Sequence, residues 1–183
     1  MKLPIYAYGH PILKRVAEPV TENNAELKSF ISDMWETMYQ ASGVGLAAPQ
    51  VGLSRRIFIV DTVQLQDEPG EEKGIKKVFI NPVKIEESGV DYAYEEGCLS
   101  IPDIRADVNR QSRIRLKYLD EHFEEHTTEF EGVNARVIQH EYDHLEGILF
   151  VEKIKPLKRN MLRRKLDKIR KGNVKVEYAM QFK

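Results

Sequence analysis

Gln139-His140-Glu141-Tyr142-Asp143-His144 sets two imidazoles four residues apart, with a glutamate directly after the first. Positions i and i+4 share one face of a helix, so both rings can reach a single ion. Glu141 then stands beside the site without having to be a ligand. This is the zinc-hydrolase arrangement of two ligands and a general base on one helical turn. The bland alternative is a surface helix carrying two solvated histidines. The spacing predicts a helix over residues 133–145, between Gly132 and Gly147. Val133, Arg136 and Val137 precede His140 by seven, four and three residues and share its face.

A catalytic site of this kind needs a third protein ligand and an open position. In the pattern that continues x-x-Gly-x-x-His, the chain supplies Gly147 but has Phe150 at the histidine position. A downstream carboxylate is no better supplied, since residues 151–176 are mostly basic or apolar. Cys98 remains, inside Glu96-Gly97-Cys98-Leu99-Ser100. Lone cysteines are often inert fillers of the core. Here Gly97 relaxes the backbone and Pro102 is expected to stop regular structure, making a tight segment able to aim a thiolate. One thiolate and two imidazoles make a set of three with one vacancy. An ion there lowers the pKa of a bound water, and Glu141 is assigned as general base and then general acid.

Three segments together resemble the peptide deformylase family. They are Gly43-Val44-Gly45-Leu46-Ala47-Ala48-Pro49-Gln50, the cysteine segment, and the histidine helix, in the family's order and spacing. The similarity runs from about Tyr6 to Gly172; the insertion around residues 64–76 is longer than in the shortest members, and the tail is least anchored. The resemblance implies removal of the N-formyl group from the first methionine of nascent peptides, with formate released. It also implies that Gln50 and the Leu99 backbone N–H stabilise the oxyanion, and that Fe2+ is the native ion. The ligand types alone equally suit Zn2+, Ni2+ or Co2+. Gly45 permits close approach of a peptide backbone. Val44, Val133 and Val137 are expected to line a pocket for an unbranched side chain. Arg136 is expected to meet either substrate or a neighbouring acid, and Tyr94 and Arg105 to border the pocket. The enzymatic alternative is a small metallopeptidase cutting internal bonds; the non-enzymatic one is a metal-stabilised interaction module.

Composition fits a single domain over residues 1–183, with 42% hydrophobic and 31% charged residues. No segment has the length and apolarity of a membrane span, and Met1-Lys2-Leu3-Pro4 lacks the apolar core of a signal peptide. A single cysteine suits a reducing compartment, so a cytoplasmic placement is expected. The net charge of −1 hides an asymmetry. Residues 153–175 hold eleven Lys/Arg and one acid, leaving 17 basic against 28 acidic residues elsewhere, a net of −11. A basic helix over about 153–172 can be a solvated face or an electrostatic contact with a ribosome. No sequence-specific nucleic-acid reader is recognisable. Ile154, Leu157, Met161, Leu162, Leu166 and Ile169 are expected to pack inward from that helix.

Elsewhere, helical spacing of apolar residues predicts a first helix over 24–41, capped by Asn23 with Glu26 and ended by Gly43. Trp35 and Tyr39 are expected in the core. Residues 56–60, 78–80, 113–118 and 126–130 have strand character, 66–74 that of an exposed loop, and Tyr92–Tyr94 leads into the cysteine segment. His122 and His126 share the four-residue spacing but fall on a hairpin, not a helix. Val174, Val176 and Tyr178 alternate and are expected to add an edge strand in the tail, residues 173–183. Without a βαβ rhythm, the fold class is α+β, with antiparallel β-sheets around a central metal-binding helix, an N-terminal helix and a C-terminal helix.

Overall fold

The computed structural model describes residues 1–65 and 72–183; most of the expected 66–74 loop lies outside the described residues. The first helix, α1 (Ala25–Gln40), buries Ile31, Met34 and Met38 along one face. Its cap is Asn24 rather than Asn23: the Asn24 side chain accepts from Leu27 N at 2.9 Å. Its end also differs by a residue. Ser42 takes the left-handed turn (φ 57°), with Ser42 N to Tyr39 O and Gly43 N to Met38 O closing a Schellman-type cap. Gly43 is needed for space instead, since a Cβ there would stand 2.7 Å from Leu99 Cδ1. Trp35 is half-buried and packs against the cluster that holds Met34 and Met38, whereas Tyr39, contrary to expectation, lies at the surface, its hydroxyl tied to Asp61. The two rings stack, with Lys76 Nζ over both.

The main sheet is antiparallel throughout. It takes the order β2 (Gly45–Ala47), β3 (Ile57–Asp61), β4 (Lys76–Cys98), β5 (Ile101–Leu119) and β6 (Glu125–Glu131). Residues 78–80, expected as a short run, belong to one strand of 23 residues that continues through Tyr92–Tyr94 to Cys98. Ile114, Leu116 and Tyr118 are buried on the inner face of β5, as their alternation requires. Pro102 does not stop the structure. The ladder jumps from Cys98↔Ile101 to Gly97↔Arg105, so residues 102–104 are looped out and the missing proline N–H costs no pairing. At the β5–β6 turn His126 bonds Asp120 at 2.7 Å.

The central helix α2 (Gly132–Leu145) lies against this sheet. Ala135, Ile138 and Leu145 enter a cluster with Phe58, Phe79, Leu116 and Phe130, where Phe58 and Phe79 stack at 4.7 Å. A second, two-stranded sheet pairs β1 (Ile5–Tyr6) with β7 (Met180–Gln181). Two expectations change here. This pair is parallel, and the tail strand begins at Met180 rather than at Val174. The alternation from Val174 onward is real, but a ladder forms only where the N-terminal segment runs alongside. The basic helix α3 (Pro156–Arg170) buries Leu162, Leu166 and Ile169. Leu157 and Met161 are 76% and 70% exposed, contrary to expectation. At 3.6 residues per turn they sit roughly 100–140° around the helix from Leu162. No helix among the described residues is long and apolar enough to cross a membrane.

Candidate metal centre

One helical turn of α2 presents His140 and His144 side by side, with ring centroids 5.2 Å apart. The end of β4 delivers Cys98, whose Sγ lies 3.3 Å from His144 Nε2. One donor atom from each of the three residues lies within 4.8 Å of the other two. His140 Nδ1–H donates to Glu96 Oε1 at 2.8 Å, which orients the ring and leaves Nε2 for an ion. Burial holds the His144 imidazole well below its ordinary pKa and so in the neutral, ligating form. Burial opposes charge on His140 as well, but bonds to Cys98 and Glu96 outweigh it and raise that ring. An arriving ion would take the place of the proton on Nε2, leaving Nδ1–H on Glu96. The donor set therefore fits a divalent cation.

Glu96 is the hub beneath the site, and no role was foreseen for it. It accepts from Arg110 Nε and a second Arg110 nitrogen at 2.7 and 3.0 Å, and from Arg136 at 2.9 Å. Arg110 also reaches Asp143 at 2.8 Å. Burial alone would push the Glu96 carboxyl up, yet His140 and Arg110 hold it well below the usual carboxylate range. The sequence did carry a signal. Residues i and i+2 of a strand share a face, so Glu96 had to point the way Cys98 points.

Glu141 follows His140 and turns toward β2. A Cβ on Gly45 would stand 2.6 Å from Glu141 Oε1, so glycine at this position makes room for the carboxylate. Glu141 Oε2 is buried without a hydrogen-bond partner among the described residues. Burial pushes this carboxyl up to about 7. A buried oxygen of this kind calls for a proton donor that the described residues do not provide. It faces the same cavity as Cys98 and His140, a space of about 840 Å³.

The other expected residues distribute around that cavity. Gln50 accepts from Ala47 N at 2.9 Å and points its amide Nε2 at Ser100 Oγ (3.2 Å) and Cys98 Sγ (3.4 Å). Leu99 follows Cys98 in the turn between β4 and β5, on the cavity wall. Val44, Gly45, Val133 and Val137 line the interior, with Tyr94 and Arg105 also in the lining. Arg105 pairs with Glu95 at 3.0 Å in an exposed position. Arg136 resolves toward the salt-bridge reading: beyond Glu96, it donates to Val108 O at 2.7 Å and Tyr92 O at 2.8 Å. Its terminal nitrogens are thus occupied by bracing rather than free for a ligand. Four tail residues, Lys175, Val176, Glu177 and Tyr178, also form part of the wall. Their sequence shows nothing beyond alternation, and no local pattern could have placed them here.

Comparison with known proteins agrees with this geometry. The profile of the family described as Polypeptide deformylase matches residues 2–160. A protein of Christiangramia forsetii named peptide deformylase is 50% identical over 189 aligned residues, covering 100% of this chain and 96% of the relative. A second, from Cytophaga hutchinsonii, is 49% identical and covers 100% of this chain and 98% of its own length. Among solved structures, a peptide deformylase from Legionella pneumophila superposes with a TM-score of 0.83 at 38% identity. That alignment covers 94% of this chain and 98% of the other.

Proposed function

The chain belongs to the peptide deformylase family, and we propose that Cys98, His140 and His144 hold its catalytic ion while Glu141, Gln50 and Leu99 carry the chemistry. The enzyme removes the N-formyl group from the N-terminal methionine of newly synthesised polypeptides and releases formate. The observation that carries the site assignment is the convergence of three donors beside a buried Glu141 oxygen unpartnered among the described residues, with Cys98, His140 and Glu141 lining one cavity. When bound, the ion supplies Lewis acidity to a water and to the formyl carbonyl. Glu141 takes the proton of the attacking water and returns it to the departing amine. Gln50 Nε2 and the Leu99 N–H donate to the oxyanion that develops on the formyl oxygen. Val44, Val133 and Val137 contact the methionine side chain. Gly45 lets the peptide backbone approach β2 as an added strand, with Tyr94 and Arg105 at the border.

A formyl carbon bears hydrogen where other acyl groups bear carbon, so a confined space beside the ion admits it and excludes bulkier groups. This favours deformylation over cleavage of internal bonds. Hydrolysis of formyl-Met-Ala, with acetylated and internal peptides left intact, is the expected pattern; the reverse would retire the assignment. Replacing Glu141 with Gln should abolish formate release, and wild-type turnover in that variant would remove the general-base role. Ferrous iron is the proposed ion, with zinc a less active substitute. Equal or higher turnover with zinc after anaerobic reconstitution would overturn that preference.

Residues 1–183 act as one catalytic unit working in the cytoplasm. The outer face of α3, with Arg163, Arg164 and Lys165 exposed, is the proposed contact with the ribosome. Binding to ribosomes that is unchanged when those three are neutralised would count against it.

A further inference from the structure

We infer that the C-terminal strap, residues 173–183, completes the catalytic site, with Tyr178 as a positioning residue for Leu99. The inference rests on the deformylase reading above. The family profile ends at residue 160, so the strap lies beyond the matched region. Past Gly172 the chain turns alternate side chains inward: Val174, Val176, Tyr178, Met180 and Phe182 are half-buried, and their neighbours are exposed. The far end of the strap is latched to the N-terminal segment. Ile5 N donates to Ala179 O and Ala7 N to Gln181 O, both at 2.9 Å. Between the helix and that latch, residues 175–178 form one wall of the cavity that contains Cys98 and Glu141.

Leu99 and Ser100 sit in a turn outside the strand ladder, so side chains and neighbouring backbone decide its conformation. Among the described residues three hydrogen bonds hold it. Gln50 Nε2 donates to Ser100 Oγ at 3.2 Å, Tyr8 N donates to Ser100 O at 2.8 Å, and the Tyr178 hydroxyl donates to Leu99 O at 2.8 Å. Of these, the last is the one made to the Leu99 backbone. A carbonyl pinned on one side of a residue limits how far the N–H on its other side can swing. That N–H is the donor assigned to the oxyanion. A tyrosine hydroxyl is protonated at neutral pH and so available as the donor to that carbonyl. The ring packs against the apolar cluster that contains Leu46, as Leu99 and Met180 also do, so deleting the hydroxyl leaves the packing in place.

The test compares wild type and Tyr178→Phe as full-length, iron-loaded protein on formyl-Met-Ala. The expected result is a kcat lowered about tenfold with KM changed by less than about twofold, the signature of a contact felt in the transition state. Metal content per chain should match wild type, and the melting temperature should stay within about 4 °C, the effect of one lost hydrogen bond. An unchanged kcat overturns the inference. So does a fall in kcat that comes with lost metal or a larger loss of melting temperature, which would make Tyr178 merely structural. If wild type releases no formate at all, the deformylase reading fails and this inference goes with it; an active wild type beside an unaffected variant sinks the inference alone.

Discussion

Replacing Glu96 with Gln keeps the shape of the side chain and removes its charge from the centre of a buried network. Glu96 is 4% exposed and faces two guanidiniums, those of Arg110 and Arg136, as well as the His140 ring. Removing one partner of a buried ion pair typically costs about 3–5 kcal/mol, because the remaining charge stays desolvated. Arg110 keeps Asp143 at 2.8 Å, and Arg136 keeps the carbonyls of Val108 and Tyr92. These residual partners put the expected loss at the lower end, about 3 kcal/mol. In a chain of this size that corresponds to a melting temperature lower by about 6–12 °C. A second effect is separable from the first. Glu96 orients His140 from behind, and loss of such a partner weakens metal affinity by about 10–100-fold. Thermal melts of metal-free protein read the first effect; titration with a competing chelator reads the second. A variant that melts within about 2 °C of wild type and holds its ion as tightly would refute the reasoning on both counts.

Gly45→Ala places a methyl group 2.6 Å from Glu141 Oε1. Its kcat should fall about 100-fold in formate-release kinetics, since a shift of about 1 Å in a catalytic group has that effect. In α3, Leu166→Ala empties a buried position and should cost about 2–5 kcal/mol in urea melts, whereas Leu157→Ala on the exposed side should stay within about 0.5 kcal/mol. Equal effects from the two would contradict the helix orientation. Glu152 is pushed up by partial burial but pulled further down by Lys14 and the Leu149 N–H, so its folded pKa is lowered from 4.5. Its contribution is therefore present at neutral pH and lost as pH falls below about 4.5. The urea midpoints of wild type and Glu152→Gln should differ at pH 7 and converge in acid; a gap that widens in acid would reverse the sign.

The helices and the inner face of β5 were readable from the chain because each depends on a repeat within a few residues. His140 and His144 share a face by helical spacing alone, and Ile114, Leu116 and Tyr118 share one by strand alternation. The cap residues slipped by one position at both ends of α1, since Asn23 and Asn24, or Ser42 and Gly43, are locally near-equivalent. The length of β4 was hidden for another reason. Much of it is exposed on both faces, so no hydrophobic alternation marks residues 84–95, and pairing with β5 alone extends the strand. Cys98 could be chosen as a third donor by elimination, but its approach to His144 requires the end of β4 to meet α2. The same holds for Glu96 against Arg110, 14 residues away, and for Tyr178 against Leu99, 79 residues away. Local periodicity sets which side of an element a side chain occupies. Which sides then face one another is settled by burial of the whole core, and the ligands, their charged support and the tail that closes the cavity all belong to that second decision.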